Sequence, residues 1–151
     1  MDYRITGITS IGLVFVAIGI AMYQLFSISF LFGAVYTVCV PLVFLNVIYI
    51  YCRRCTHSLD GSCRHVLFGL IVGRLFKPTS PKPYTLNEIL IALLPLVILI
   101  ALPLYWLWQI PVLFFSFLTL LAVAGAIVVK GVCPGCKNSS CAMCPATCRR
   151  L

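Results

Sequence analysis

The sequence predicts an all-α integral membrane protein, a four-transmembrane-helix bundle of two duplicated hairpins with a cysteine-rich cytoplasmic loop and tail. Apolar residues make up 62% of the chain, charged residues make up 9%, and the mean hydropathy is +1.12. Soluble domains carry about 25% charged residues. The charges fall in a few short segments, and eight of the nine cysteines form two clusters.

The first transmembrane hairpin is expected over residues 1–51. Segments 5–26 and 27–51 contain no charged residue, and each reaches the length of about 20 residues that a helix needs to cross a hydrocarbon core. A tight turn is expected around residues 24–29. Small residues predict close contact between helices in lipid. They are Gly7, Gly12, Ala17, Gly19 and Ala21.

Two polar or polarisable side chains lie within the second span. Asn46 is expected to form an interhelical hydrogen bond, with the lining of a lipid or quinone pocket as the alternative. Cys39 is expected to be a packing residue rather than a ligand, because it lies about three helical turns from Cys52.

The second transmembrane hairpin is expected over residues 86–130, because segments 89–108 and 110–129 are uncharged. Thr85 and Glu88 fit the capping-box pattern at the start of its first helix. This helix contains Pro95 and Pro103. A transmembrane helix tolerates proline when neighbouring groups satisfy the carbonyls that proline leaves without a donor.

All eleven lysine and arginine residues lie on one side of the four spans, in the N-terminal segment, the loop 52–85 and the tail that begins at the end of the fourth span. Cytoplasmic segments carry such an excess, so both termini and the loop are expected in the cytoplasm of a cell-membrane protein. Tyr105, Trp106 and Trp108 would mark the opposite interface. The basic charge is therefore attributed to topology and to anionic headgroups, and nucleic acid is not expected as a partner.

The two cysteine clusters share one spacing. Residues Cys52, Cys55 and Cys63 read C-x2-C-x7-C, and the same pattern recurs 81 positions later at Cys133, Cys136 and Cys144. The repeat predicts that the hairpins are related by an axis roughly along the membrane normal, so that the clusters lie near each other.

Further candidate ligands lie close to both clusters. They are Cys141 and Cys148 in the tail 131–151, and His57 and His65 in the loop. Paired cysteines in the reducing cytosol are more often metal ligands or catalytic thiols than disulfides. An iron–sulfur cluster is the favoured cofactor and zinc is the alternative, because spacing does not separate them. Thiol redox chemistry or metal-ion relay is a third interpretation, since Arg53 and Arg54 favour thiolates.

The predicted function is electron transfer at the cytoplasmic membrane face, with a membrane or cytoplasmic redox protein, or a quinone, as partner. A zinc-stapled adaptor subunit of a membrane complex is the alternative. The three acidic residues, Asp2, Asp60 and Glu88, are far apart in sequence, and no phosphate-binding glycine loop is present. The chain therefore does not resemble a hydrolase or transferase, whereas a role as an oxidoreductase component stays open.

Overall fold

A computed structural model of the chain describes residues 3–53 and 84–133. Regular structure in these residues is entirely helical. The four α-helices are α1 (Tyr3–Ile28), α2 (Phe30–Val47), α3 (Leu86–Leu107) and α4 (Pro111–Ile127), and α2 and α4 each continue into a π-helical turn, Ile48–Cys52 and Val128–Val132.

All four helices are long and apolar enough to cross a membrane. The candidate spans are Ile5–Ile28, Phe30–Cys52, Leu86–Leu107 and Pro111–Gly131. Many large apolar side chains on their outer surfaces are exposed, such as Phe30, Leu31 and Val112, which is compatible with contact with a lipid bilayer. The helices therefore indicate a multi-pass membrane protein.

The turn between α1 and α2 is tighter than expected. Helix α1 continues through the predicted turn region as far as Ile28, because residues 24–28 contain no glycine or proline. Only Ser29 separates the helices, and its extended backbone (φ −158°, ψ 132°) reverses the chain. The second turn occupies residues 108–110, and Pro111 occupies the first turn of α4.

Helix α1 is central to the packing. It packs most extensively against α4 and α2, and α2 also packs against α3, whereas α3 and α4 make little contact with each other despite their short connection. An internal two-fold repeat would predict equal packing between the two helices of each hairpin. Instead α1 packs against α2 more extensively than α3 packs against α4. This difference does not support the internal duplication, which stays a prediction.

The prediction for the small residues of α1 is right in part. Ala17 and Ala21 are fully buried in the core. Gly12 and Gly19 face outward, and a β-carbon built at either position would meet no atom within 4 Å, so the prediction that they pack against a neighbouring helix is wrong. The buried face of α1 also includes Ser10.

The two prolines of α3 are accommodated by side chains of α2. An α-helical N–H donates to the carbonyl four residues earlier, so Pro95 and Pro103 leave Ile91 O and Leu99 O without their intrahelical donors. Asn46 Nδ2 donates to Ile91 O at 2.9 Å. This contact confirms both the expected interhelical bond of Asn46 and the expected satisfaction of the carbonyl.

The second carbonyl is satisfied in the same way. Tyr36, which is buried, donates its hydroxyl hydrogen to Leu99 O at 3.2 Å. A corresponding bond joins α1 to α4, where the Ser10 hydroxyl donates to Ala124 O at 3.2 Å. Hydrogen bonds of this kind hold helices together in lipid, where no hydrophobic drive operates between them.

Candidate metal centre

The first cysteine of each cluster lies where the second helix of a hairpin ends. Cys52 is the last residue of the π-helical turn that follows α2, and Cys133 directly follows the π-helical turn at the end of α4. The two halves therefore present their first cysteines from the same kind of helix end.

Both cysteines lie at one end of the helices, which we call the cysteine end. Thr6, near the start of α1, is the nearest side chain to a β-carbon built at Gly131, near the end of α4. Tyr84, just before α3, donates its hydroxyl hydrogen to Tyr51 O at 2.9 Å, so the end of α2 lies there too. The opposite end, the turn end, consists of Ser29 and residues 108–110.

Charged side chains of the described residues concentrate at the cysteine end. Arg53 follows Cys52, Lys130 precedes Cys133 by three positions, and Glu88 lies in the first turn of α3. The sequence segments 5–52 and 89–129 contain no charged residue at all. The turn end carries aromatic side chains instead, with the ring centroids of Phe32 and Trp106 lying 5.5 Å apart.

Aromatic residues form contacts at the end of α2, next to Cys52 in the sequence. The Arg53 guanidinium lies over the Tyr49 ring, 5.2 Å from its centroid, and donates to the Tyr49 hydroxyl at 2.7 Å. The ring centroids of Tyr51 and Tyr84 lie 5.2 Å apart. The Tyr51–Tyr84 contact packs the end of α2 against the residues just before α3, and Cys52 is half-buried beside it in the sequence.

Cys133 is buried, with 8% of its surface exposed. The π-helical turn before it packs against α1, and a β-carbon at Gly131 would come within 2.5 Å of Thr6 Cγ2. A side chain larger than that of glycine at this position would have to displace the Thr6 methyl group, so glycine permits this close approach. The second cluster begins from a packed helix end, as the first does.

The capping box at the start of α3 is confirmed. Glu88 N donates to Thr85 Oγ1 at 3.4 Å, and Thr85 N donates to Glu88 Oε2 at 2.9 Å. The carboxylate thus acts as a cap, as the sequence predicted, and it fixes where the loop between the hairpins re-enters helix.

Cys39 lies away from the cysteine end. It is half-buried inside α2 and packs against the hydrophobic core, as the sequence predicted. Cys52 follows it by 13 positions, about 20 Å along a helix. Cys39 is therefore not positioned to join Cys52 in one site, and it provides a control for experiments on the clusters.

Eight of the ten candidate ligands lie outside the described residues. They are Cys55, Cys63, Cys136, Cys141, Cys144, Cys148, His57 and His65. Within residues 3–53 and 84–133, no three His, Cys, Asp or Glu side chains converge. The composition of either metal site therefore stays a prediction from the spacing.

Sequence reasoning missed two features near this end, the aromatic contacts at the end of α2 and a cleft between α1 and α4. For the first, the available signal was a tyrosine one turn before Arg53 and another beside the capping box, because residues four apart share a helix face.

Comparison of the chain with protein-family models, curated proteins and solved structures finds no match.

Proposed function

We propose that the chain is a membrane-anchored iron–sulfur protein that transfers electrons at the cytoplasmic face of the cell membrane. One observation carries the proposal: two cysteine clusters of identical C-x2-C-x7-C spacing begin at the ends of α2 and α4, at one end of the helices. Four spans alone need no cysteine clusters. Two such clusters that begin at the same end of the helices are therefore better explained by cofactor binding.

The donor set suits this chemistry. Each C-x2-C pair can bind one edge of a cluster or one metal ion, and cysteines farther along complete the coordination. Two cubane clusters need eight cysteines, and the loop and tail together contain eight. The loop holds Cys52, Cys55 and Cys63, so its fourth ligand would be Cys148 from the tail, His57 or His65.

The proposed orientation is cytoplasmic for both termini. It rests on the eleven basic residues, which all lie on the side of the cysteine end in the predicted topology. In that orientation the clusters meet reduced soluble electron donors. The acceptor would be a membrane protein or a quinone in the bilayer, and each cluster would accept and release one electron without proton chemistry in the protein.

Structural zinc is the second candidate. The tail 131–151 contains almost no large apolar side chain, so burial does not offset the backbone entropy of about 1–2 kcal/mol for each ordered residue. Metal–thiolate bonds supply the compensation whether the metal is iron or zinc. In the zinc case the ordered loop and tail would form an adaptor surface in a membrane complex, with no redox role.

The test is the spectrum of anaerobically purified protein. The proposal predicts a brown protein with broad visible absorption that weakens on reduction with dithionite, and an electron paramagnetic resonance signal in one of the two redox states. Stoichiometric zinc in a colourless protein would replace it with the adaptor. Absence of both iron and zinc from freshly prepared protein would contradict both candidates.

A further inference from the structure

A cleft of about 530 Å³ lies between α1 and α4 at the cysteine end. Its volume is within the range of ligand sites. The lining residues are Thr6, Val123, Ala126, Ile127, Lys130 and Gly131. Among these described residues the lining is mostly apolar, and Lys130 supplies a cation at the end where α4 leaves the apolar span.

The apolar lining and the cation share one face of α4. Val123, Ile127 and Lys130 follow one another at spacings of four and three residues, which places them on one side of a helix. Seven residues rise about 10 Å, and one leaflet of the hydrocarbon core is about 15 Å deep. The cleft therefore extends over about two thirds of the depth of one leaflet, which is long enough to hold much of an acyl chain. Lys130 would lie at the level of the headgroups.

The cleft opens toward the surroundings of the helices. Val123 is 44% exposed, and Lys130 is exposed, whereas α1 and α4 are in close contact at Thr6 and Gly131. A second cleft of about 550 Å³ lies farther along α4 toward the turn end and is lined partly by Ser116 and Leu120. In a membrane, both would face lipid.

We propose that the cleft binds one anionic phospholipid, with an acyl chain along Val123 and Ile127 and the phosphate beside Lys130. Lys130 is exposed at this end of the cleft, so its ammonium group can reach an anionic headgroup. A zwitterionic headgroup lacks the net charge that attracts a lysine. This inference is independent of the metal.

The experiment measures lipid retention by delipidated protein in detergent micelles. Dioleoyl phosphatidylglycerol or dioleoyl phosphatidylcholine is added, and bound lipid is counted by native mass spectrometry. Wild-type protein should retain phosphatidylglycerol preferentially. Lys130→Gln should reduce that retention about five-fold, the effect of one basic residue near an anionic surface, while phosphatidylcholine retention changes little.

Two pairs of variants make the result specific. Arg53→Gln removes the same charge from the same end, but outside the cleft, and should change retention less than about two-fold. Val123→Trp fills the apolar part and should reduce retention as strongly as Lys130→Gln, whereas Val112→Trp places the same ring at an exposed position outside the cleft and should not.

Equal retention of the two lipids by wild-type protein would overturn the proposal. Equal effects of Lys130→Gln and Arg53→Gln would also overturn it, because they would show attraction by the whole basic face. Retention of an uncharged quinone in preference to either lipid would assign the cleft to a different ligand. Circular dichroism of each variant establishes that the helices are intact before retention is compared.

Discussion

The hydrogen bonds to proline-released carbonyls can be tested by restoring the missing donor. Asn46→Leu removes the donor to Ile91 O, and Pro95 prevents the helix from supplying another. The Asn46–Ile91 bond lies on the exposed surface of the helices. An acceptor left without a donor costs about 1–3 kcal/mol where water is excluded, as in lipid, while side-chain hydrogen bonds between membrane helices average about 0.6 and reach about 1.7 kcal/mol. We expect Asn46→Leu to destabilise the fold by about 1–2 kcal/mol.

Pro95→Ala should remove most of that cost. The new N–H of residue 95 can donate to Ile91 O within α3, so Asn46→Leu in this background should cost less than about 0.5 kcal/mol, on the same scale of bond energies. The interaction energy of the double-mutant cycle is then about 1 kcal/mol. Tyr36→Phe with Pro103→Ala forms the second matched pair, because Tyr36 serves Leu99 O.

The assay is unfolding by sodium dodecyl sulfate in mixed micelles, followed by far-ultraviolet circular dichroism. The mismatched combination, Asn46→Leu with Pro103→Ala, is the control and should be additive within about 0.5 kcal/mol. An equal cost of Asn46→Leu in the Pro95→Ala and Pro103→Ala backgrounds would refute this reasoning, since Asn46 would then not serve the carbonyl released by Pro95.

Two further predictions concern α4 and the topology. Gly131→Ala should be about 2–3 kcal/mol less stable than Gly125→Ala in the same unfolding assay. The new methyl group overlaps Thr6 at position 131 and meets open space at position 125. Equal stability of the two variants would show that α1 and α4 can move apart at this point without a loss of stability. A membrane-impermeant thiol reagent applied to intact cells should label Gln109→Cys at the turn end and leave wild-type protein unlabelled. Labelling of the wild-type protein would show that the cysteine end faces the outside of the cell, opposite to the predicted topology.

Local signals in the sequence predicted the features that depend on neighbouring residues. The capping box of Thr85 and Glu88 follows from residue types that act over one helical turn. The need for donors near Pro95 and Pro103 followed from proline chemistry, and Asn46 was expected to bond between helices because it is a strongly polar side chain in an apolar segment. Tyr36 was missed, since tyrosine is common in membrane helices without such a role.

The packing face of α1 was not predictable in the same way. Its buried face includes the polar side chains of Thr6, Ser10 and Gln24. Thr9 is also polar but is exposed, so polarity in the sequence does not by itself distinguish lipid contact from helix contact. Gly12 and Gly19 therefore looked like Ala17 and Ala21 in the sequence, yet of these four only the alanines are buried. The candidate site has a different limit, because C-x2-C spacing specifies thiolate geometry without specifying the metal.

Metal content in matched cysteine variants tests the proposed function most directly. Iron, zinc and acid-labile sulfide are measured in anaerobically purified wild-type protein and in Cys39→Ser, Cys52→Ser and Cys133→Ser. We expect iron and sulfide in equal amounts in wild type and in Cys39→Ser, and a loss of about half of both in each of the other two, because one of two clusters loses a ligand. Undiminished metal in Cys52→Ser and Cys133→Ser, or loss in Cys39→Ser, would contradict the proposed iron–sulfur sites.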